Sequence, residues 1–264
     1  MKIPERKRLR RERLRTTPFP PEWREIITRN LPIFARLPTT DQQELLGHVQ
    51  VFLNEKRFEG CAGLELTDEI RVTIAAQACL LLLHRETDYY PELTSILVYP
   101  STYIPEEDRH VGENIWEHGP DNRLGRVTRP MGSLVLAWDE VKHGATDPAD
   151  GQNPVVHEFA HQLDFEDASS DGAPALGTRA EYLTWARVMR REFEALREAE
   201  ETGTESVLDT LAAAHPSEFF AVATEAFFER PRSLRAKNRQ LYDQLAAFFR
   251  QDPIAYSAEG KKPR

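Results

Sequence analysis

At 264 residues and 40% hydrophobic, the chain is long enough to bury a sizeable core, as one large domain or two small ones. Its net charge of −9 argues against general nucleic-acid binding. Two cysteines, Cys61 and Cys79, are too few for a disulfide scaffold or a zinc ribbon and point to a reducing, cytoplasmic setting.

The N-terminus is basic and runs into T-T-P-F-P-P with no apolar segment behind it, so it is not a secretory signal; residues 1–20 read as a solvated, disordered arm. Helices are predicted over 22–37 (Trp23, Ile26, Ile27, Leu31, Phe34) and 40–56 (Leu45, Leu46, Val49, Leu53) from apolar spacing. A third, capped by Thr67, is predicted to run to about His84. Its apolar run, 74–83, is interrupted by Gln77 and falls well short of the roughly twenty residues of a membrane span, so no membrane partner is expected. The first third thus reads as an all-helical half, 21–90.

From there the pattern changes. Residues 93–99, L-T-S-I-L-V-Y, read as a strand between Pro91 and Pro100, and 131–141 as a second, separated by a long polar loop with room for a short strand near Tyr103. A helix is predicted over 154–164, then a polar loop 165–177 and an amphipathic helix over 178–201 with Tyr182, Trp185, Val188, Phe193 and Leu196 facing the core. Another helix opens at His215-Pro216-Ser217 and runs to Glu229, and a last one spans 233–250. The fold class expected is α+β, with a small mixed or antiparallel sheet, one domain over 21–253 divided at 90/91, and a flexible tail over 254–264.

The chemistry is concentrated in P-V-V-H-E-F-A-H-Q-L-D, 154–164. His157 and His161, four residues apart, leave one face of a helix and can grip one metal ion, with Glu158 beside them. A catalytic zinc site takes three protein ligands and keeps one position open, so a third ligand is required. Glu218, a carboxylate in an otherwise Phe, Ala and Val helix, is the preferred candidate; Glu225 is the competitor, or else orients a histidine ring or forms a salt bridge. Zn2+ bound there would activate a water as nucleophile, with Glu158 as general base, which points to hydrolysis of a peptide or small amino-acyl amide. His215 is a candidate oxyanion donor, Asp164 a residue that orients a histidine or caps the helix end, and the strand at Gly132 to Trp138 a rail for an extended peptide.

Five stretches carry a family resemblance: C-A-G-L-E-L-T-D-E-I-R (61–71), I-L-V-Y-P (96–100), V-L-A-W-D-E-V (135–141), V-H-E-F-A-H-Q-L-D (156–164) and P-S-E-F-F-A-V-A-T-E-A-F-F (216–228). Together they resemble the Mlc titration factor A family of bacterial zinc-dependent peptidases, over roughly residues 31–253. The resemblance implies a zincin-like, gluzincin-type site in which His157, His161 and Glu218 match the metal ligands and Glu158 the base. It further implies a core similar to the catalytic domain of the anthrax lethal factor and aminopeptidase-like activity. A regulatory role is also implied, since enterobacterial members bind the glucose-responsive transcriptional repressor Mlc. One position departs from the pattern: where members carry a tyrosine seven residues before the third ligand, this chain has Leu211. That departure leaves a second reading, a catalytically weak zinc-containing regulatory protein that sequesters a transcription factor.

Overall fold

The computed structural model describes residues 3–101, 132–146, 151–167 and 169–257. The N-terminal region is built from α1 (Glu5–Thr16), α2 (Pro21–Asn30), α3 (Thr39–Glu55) and α4 (Asp68–Leu80). Thr67 caps α4 by accepting the Ile70 N–H, as its sequence predicts. The helix expected over 22–37 ends at Asn30 and gives way to a short 3-10 turn at Phe34–Arg36. Similarly, α4 stops at Leu80, short of the expected His84, whose φ of +61° is incompatible with continuing the helix.

The expected disordered arm is instead α1, docked on α3. Arg11 is buried, with Nη2 2.7 Å from Glu55 Oε2 and 2.7 Å from Asp88 Oδ1, and Arg15 donates to the Tyr89 hydroxyl at 2.7 Å. The helix is almost without apolar residues, so it is held by charge-assisted hydrogen bonds rather than by an apolar stripe. A pattern search for hydrophobic spacing has nothing to find there.

The sheet also departs from expectation. Its strands β1 (Arg57–Gly60), β2 (Ser95–Tyr99) and β3 (Ser133–Ala137) lie in the order β1-β2-β3, and both pairings are parallel, not mixed or antiparallel. The physical reason is the connection: β1 reaches β2 through α4, a crossover that parallel strands require and a hairpin turn cannot supply. In register, Ile96 lies between Phe58 and Leu134, and Val98 between Gly60 and Leu136. The second expected strand is shorter than 131–141, because α5 (Trp138–Thr146) begins directly after Ala137. The stretch expected as a polar loop with a strand near Tyr103 lies outside the described residues.

The remaining helices are α6 (Pro154–Asp164), α7 (Arg179–Thr202), α8 (Pro216–Glu229), α9 (Pro231–Lys237) and α10 (Arg239–Phe249). The last expected helix is thus two, broken at Asn238, whose Nδ2 donates to Glu192 on α7 at 2.8 Å. On α7, Trp185, Val188 and Leu196 are buried as expected, but Tyr182 is 41% exposed. Past α10, Tyr256 and Ser257 are buried, so the first part of the expected tail is packed; residues 258–264 lie outside the described residues. The chain is α+β, and α6 is central to it. Its Phe159 lies 5.6 Å from the Phe52 ring of α3 and 4.8 Å from that of Tyr90, which joins the metal-motif helix to the N-terminal helices. On the other side α6 packs on α8. Burying these aromatic rings is worth roughly 2–3 kcal/mol each.

Candidate metal centre

Helix α6 is pinned at its start by Asn153, whose Oδ1 accepts the Val156 N–H at 3.0 Å, while Pro154 occupies the first turn, where no N–H is needed. Val155, Phe159, Ala160 and Leu163 point into the core, and the opposite face carries His157 and His161 toward α8. Helix α8 is pinned similarly: His215 is its N-cap, with Nδ1 accepting the Ser217 N–H at 3.2 Å, and Pro216 follows. That start places Glu218 one turn in, opposite the histidines.

The three side chains converge. His157 Nε2 and His161 Nε2 are 3.2 Å apart, and the Glu218 carboxylate oxygens lie 3.4 Å from His157 Nε2 and 3.6 Å from His161 Nε2. Tetrahedral bonds of about 2.0–2.1 Å place neighbouring donor atoms about 3.3 Å apart, close to the spacing seen here. Two imidazole lone pairs and a carboxylate this close repel one another unless a cation lies among them. The donor set therefore fits a metal ion, and among the described residues His157, His161 and Glu218 are the group that can hold one.

The outer nitrogens are occupied. Glu225 Oε1 accepts from His157 Nδ1 at 2.7 Å, while its other oxygen accepts the Asn153 N–H at 2.5 Å. Glu225 thus touches the far side of a histidine ring, whereas Glu218 is the carboxylate that converges with the two Nε2 atoms. Burial opposes a charge on His157, but hydrogen bonds to Glu218 and Glu225 outweigh it and raise its pKa to about 10. Glu218 is held well below the usual carboxylate range, chiefly by its hydrogen bond to His157. The cluster, in other words, is built to surround positive charge.

Asp164 is fully buried, and its hydrogen bonds among the described residues go to Ser217 and Gly172 and not directly to a histidine. Its Oδ2 accepts from Ser217 Oγ at 2.7 Å and from the Gly172 N–H at 3.1 Å, and Ser217 Oγ in turn lies 3.0 Å from His161 Nδ1. Glu158 is buried on α6, one residue round from His157. His215 is exposed and serves as the cap already described; Leu211 lies in the 3-10 turn Thr210–Ala214 that precedes α8. Ser217 is the residue that sequence reasoning passes over, since a serine in a first helical turn is ordinarily read as a helix-start residue.

The profile of the glucose-regulated metallo-peptidase M90 family matches residues 6–250. The chain belongs to this family. It is 37% identical over 245 residues to an uncharacterized protein of Synechocystis, covering 93% of this chain and 89% of that protein. It is 29% identical over 237 residues to the Mlc titration factor A proteins of Yersinia pestis and Yersinia pseudotuberculosis, covering 89% of this chain and 86% of theirs. The family match reaches back into α1, so the N-terminal helix is part of the shared region and not an appendage. A metallopeptidase family implies a metal, and among the described residues the trio on α6 and α8 is the group that could hold it. No helix among the described residues is long and apolar enough to cross a membrane.

Proposed function

We propose that the chain is a zinc-dependent peptidase of zincin-like architecture that hydrolyses peptide or amino-acyl amide bonds, with His157, His161 and Glu218 as the metal ligands. The observation that carries this reading is the convergence of three donor atoms 3.2 to 3.6 Å apart, with His157 Nδ1 and His161 Nδ1 already occupied. Zinc bound to such a set supplies Lewis acidity, lowering the pKa of a water toward ~7 and polarising a carbonyl.

The rest is the work of the chain's own residues. Glu158 accepts the proton of the attacking water and delivers it to the leaving amine, the usual division of labour for a glutamate between two metal-binding histidines. Glu225 holds the His157 ring so that Nε2 faces the site. His215, whose Nδ1 accepts the Ser217 N–H in the cap, is assigned the contact to the developing oxyanion through its other ring nitrogen. Strand β3, at one end of the sheet among the described residues and packed on α6, is the rail for an extended substrate. The setting proposed is cytoplasmic.

A second reading rests on Leu211 and on the relatives' name: a regulatory protein that captures a repressor of the Mlc type, with weak catalysis. One experiment separates the two. Metal analysis of protein purified without chelator is combined with hydrolysis of amino-acid p-nitroanilides by wild type and Glu158→Gln. The peptidase reading expects about one zinc per chain in both proteins and a rate lower by about 10²–10⁴ in Glu158→Gln. Zinc in both with no hydrolysis by wild type supports the regulatory reading.

A further inference from the structure

The two histidines are held from behind by different chemistry. His157 Nδ1 meets a carboxylate, whereas His161 Nδ1 meets the hydroxyl of Ser217, which is also 2.7 Å from Asp164 Oδ2 and 3.1 Å from Ser170 Oγ. We propose that Ser217 is a positioning residue of the metal centre: its hydroxyl relays the Asp164 carboxylate to His161 and fixes the ring with Nδ1 protonated and the Nε2 lone pair toward Glu218. The inference rests on the metal-centre reading above and deepens it.

The direction of the relay follows from proton accounting. Asp164 Oδ2 already accepts from the Gly172 N–H, so that oxygen acts as an acceptor and the single Ser217 proton goes to it. The Ser217 oxygen then has two lone pairs, enough to accept from His161 Nδ1–H and from the Ser170 hydroxyl. Asp164 Oδ2 thus takes both donors while Oδ1 has no hydrogen-bond partner among the described residues, and the only His161 nitrogen left without a proton is Nε2, the one that faces His157 and Glu218.

The backbone around the relay is fixed as well. Gly172 has φ +78°, and a Cβ there would lie 2.4 Å from the Pro216 carbonyl oxygen, so the loop lies directly against the start of α8. Trp185 on α7 donates to the Gly172 carbonyl at 2.9 Å, which holds the loop from the other side. Asp164 thus reaches Ser217 through a clamp made by three elements. Ser217 also precedes Glu218 in the chain, so one dipeptide supplies a metal ligand and orients another. A small displacement of the α8 start would disturb two of the three ligands together.

The test uses the full chain, stripped of metal and titrated with zinc against a competing chelator. Ser217→Ala is expected to bind zinc roughly 10–100-fold more weakly, with Ser217→Thr, which keeps the hydroxyl, within a few-fold of wild type. In zinc-loaded wild type and Ser217→Thr, a slowly exchanging His161 Nδ1–H signal is expected in imidazole 1H–15N spectra; in Ser217→Ala it should exchange rapidly. Thermal midpoints of the metal-free proteins control for folding. Equal zinc affinity in wild type and Ser217→Ala would overturn the relay while leaving the metal centre intact. Weakening that tracks a lowered midpoint, with the Nδ1–H signal unchanged, would overturn it as well, by reducing Ser217 to a packing residue. Wild type that binds no zinc would instead overturn the metal-centre reading on which the relay depends.

Discussion

Two histidine sites on helices of this chain, one buried and one half-buried, differ in what their nitrogens face. On α3, His48 is four residues after Glu44, its Nε2 3.3 Å from the Glu44 carboxylate; its Nδ1 is 2.8 Å from the Tyr89 hydroxyl and 3.1 Å from Arg15. Both nitrogens therefore have protein partners, and burial, the largest influence, pushes the pKa below 6.5. On α6, His157 and His161 are also four apart and backed by protein groups, but their Nε2 atoms converge on each other and on Glu218. The spacing is the same and the chemistry is not. What distinguishes a metal centre from a satisfied core histidine is a surplus of acceptors pointing at one place, and only the α6–α8 pair has it among the described residues.

The largest test of that difference removes one carboxylate from each cluster. Glu218→Ala is expected to abolish stoichiometric zinc binding, because the remaining histidine pair lacks the third donor of an open catalytic site. Glu44→Ala is expected to leave zinc stoichiometry at wild type and to cost about 2 kcal/mol of stability, the worth of its hydrogen bonds to His48 and to the His84 N–H. Metal analysis with chemical denaturation of both variants decides it. Zinc retained in Glu218→Ala, or lost in Glu44→Ala, would mean that the two clusters have been assigned the wrong way round.

Much of the candidate site is legible in the sequence because its signals are local. Asn153 as cap, Pro154 in the first turn and the apolar set Val155, Phe159, Ala160 and Leu163 delimit α6 to the residue, and His215-Pro216 similarly opens α8. What escapes depends on distant partners. Strand β1 is R-F-E-G, four residues with one aromatic, and becomes a strand only by pairing with β2 across the α4 crossover. The parallel sense of the sheet is a property of that crossover and has no signature in any one strand. Helix α1 is stabilised by Glu55 and Asp88, 44 and 77 positions away from Arg11. Ser217 acquires its relay from Asp164, 53 residues earlier, which no periodicity reveals.

The docking of α1 provides the next contrast, since it is remote from the metal cluster and built on charge. Arg11→Ala leaves the half-buried Glu55 facing Arg10 at 2.7 Å, and the half-buried Asp88 facing Lys7 at 2.6 Å. Breaking a buried ion pair costs about 3–5 kcal/mol when nothing replaces the lost partner; these two remaining cations place the expectation near the lower end, about 3 kcal/mol. Denaturant titration measures it, and zinc affinity of the folded variant should match wild type. A cost under about 1 kcal/mol, typical of an exposed pair, would show that α1 is not docked in solution as it is here.

The smallest expected effect distinguishes the clusters by pH. His48 is faced by Glu44 on its own helix, by Arg15 of α1, by Tyr89, and by His84, which with Asp41 completes the charged surroundings. Because its folded pKa lies below 6.5, the unfolded chain takes up a proton on falling through pH 6.5 while the native protein does not. The unfolded state then binds more protons, so stability is lost as the pH falls below 6.5, by at most about 1.4 kcal/mol per pH unit for one group. Glu44 contributes in a separate window: its hydrogen bond to His48 lowers its pKa, so its contribution is lost only as the pH falls below 4.5. His48→Gln retains a polar side chain without an ionisable ring, and in metal-free protein it should flatten the stability profile between these two values relative to wild type. Parallel profiles for variant and wild type across that window would mean that His48 is protonated as readily in the native protein as in the unfolded chain, which its fully partnered, buried ring does not allow.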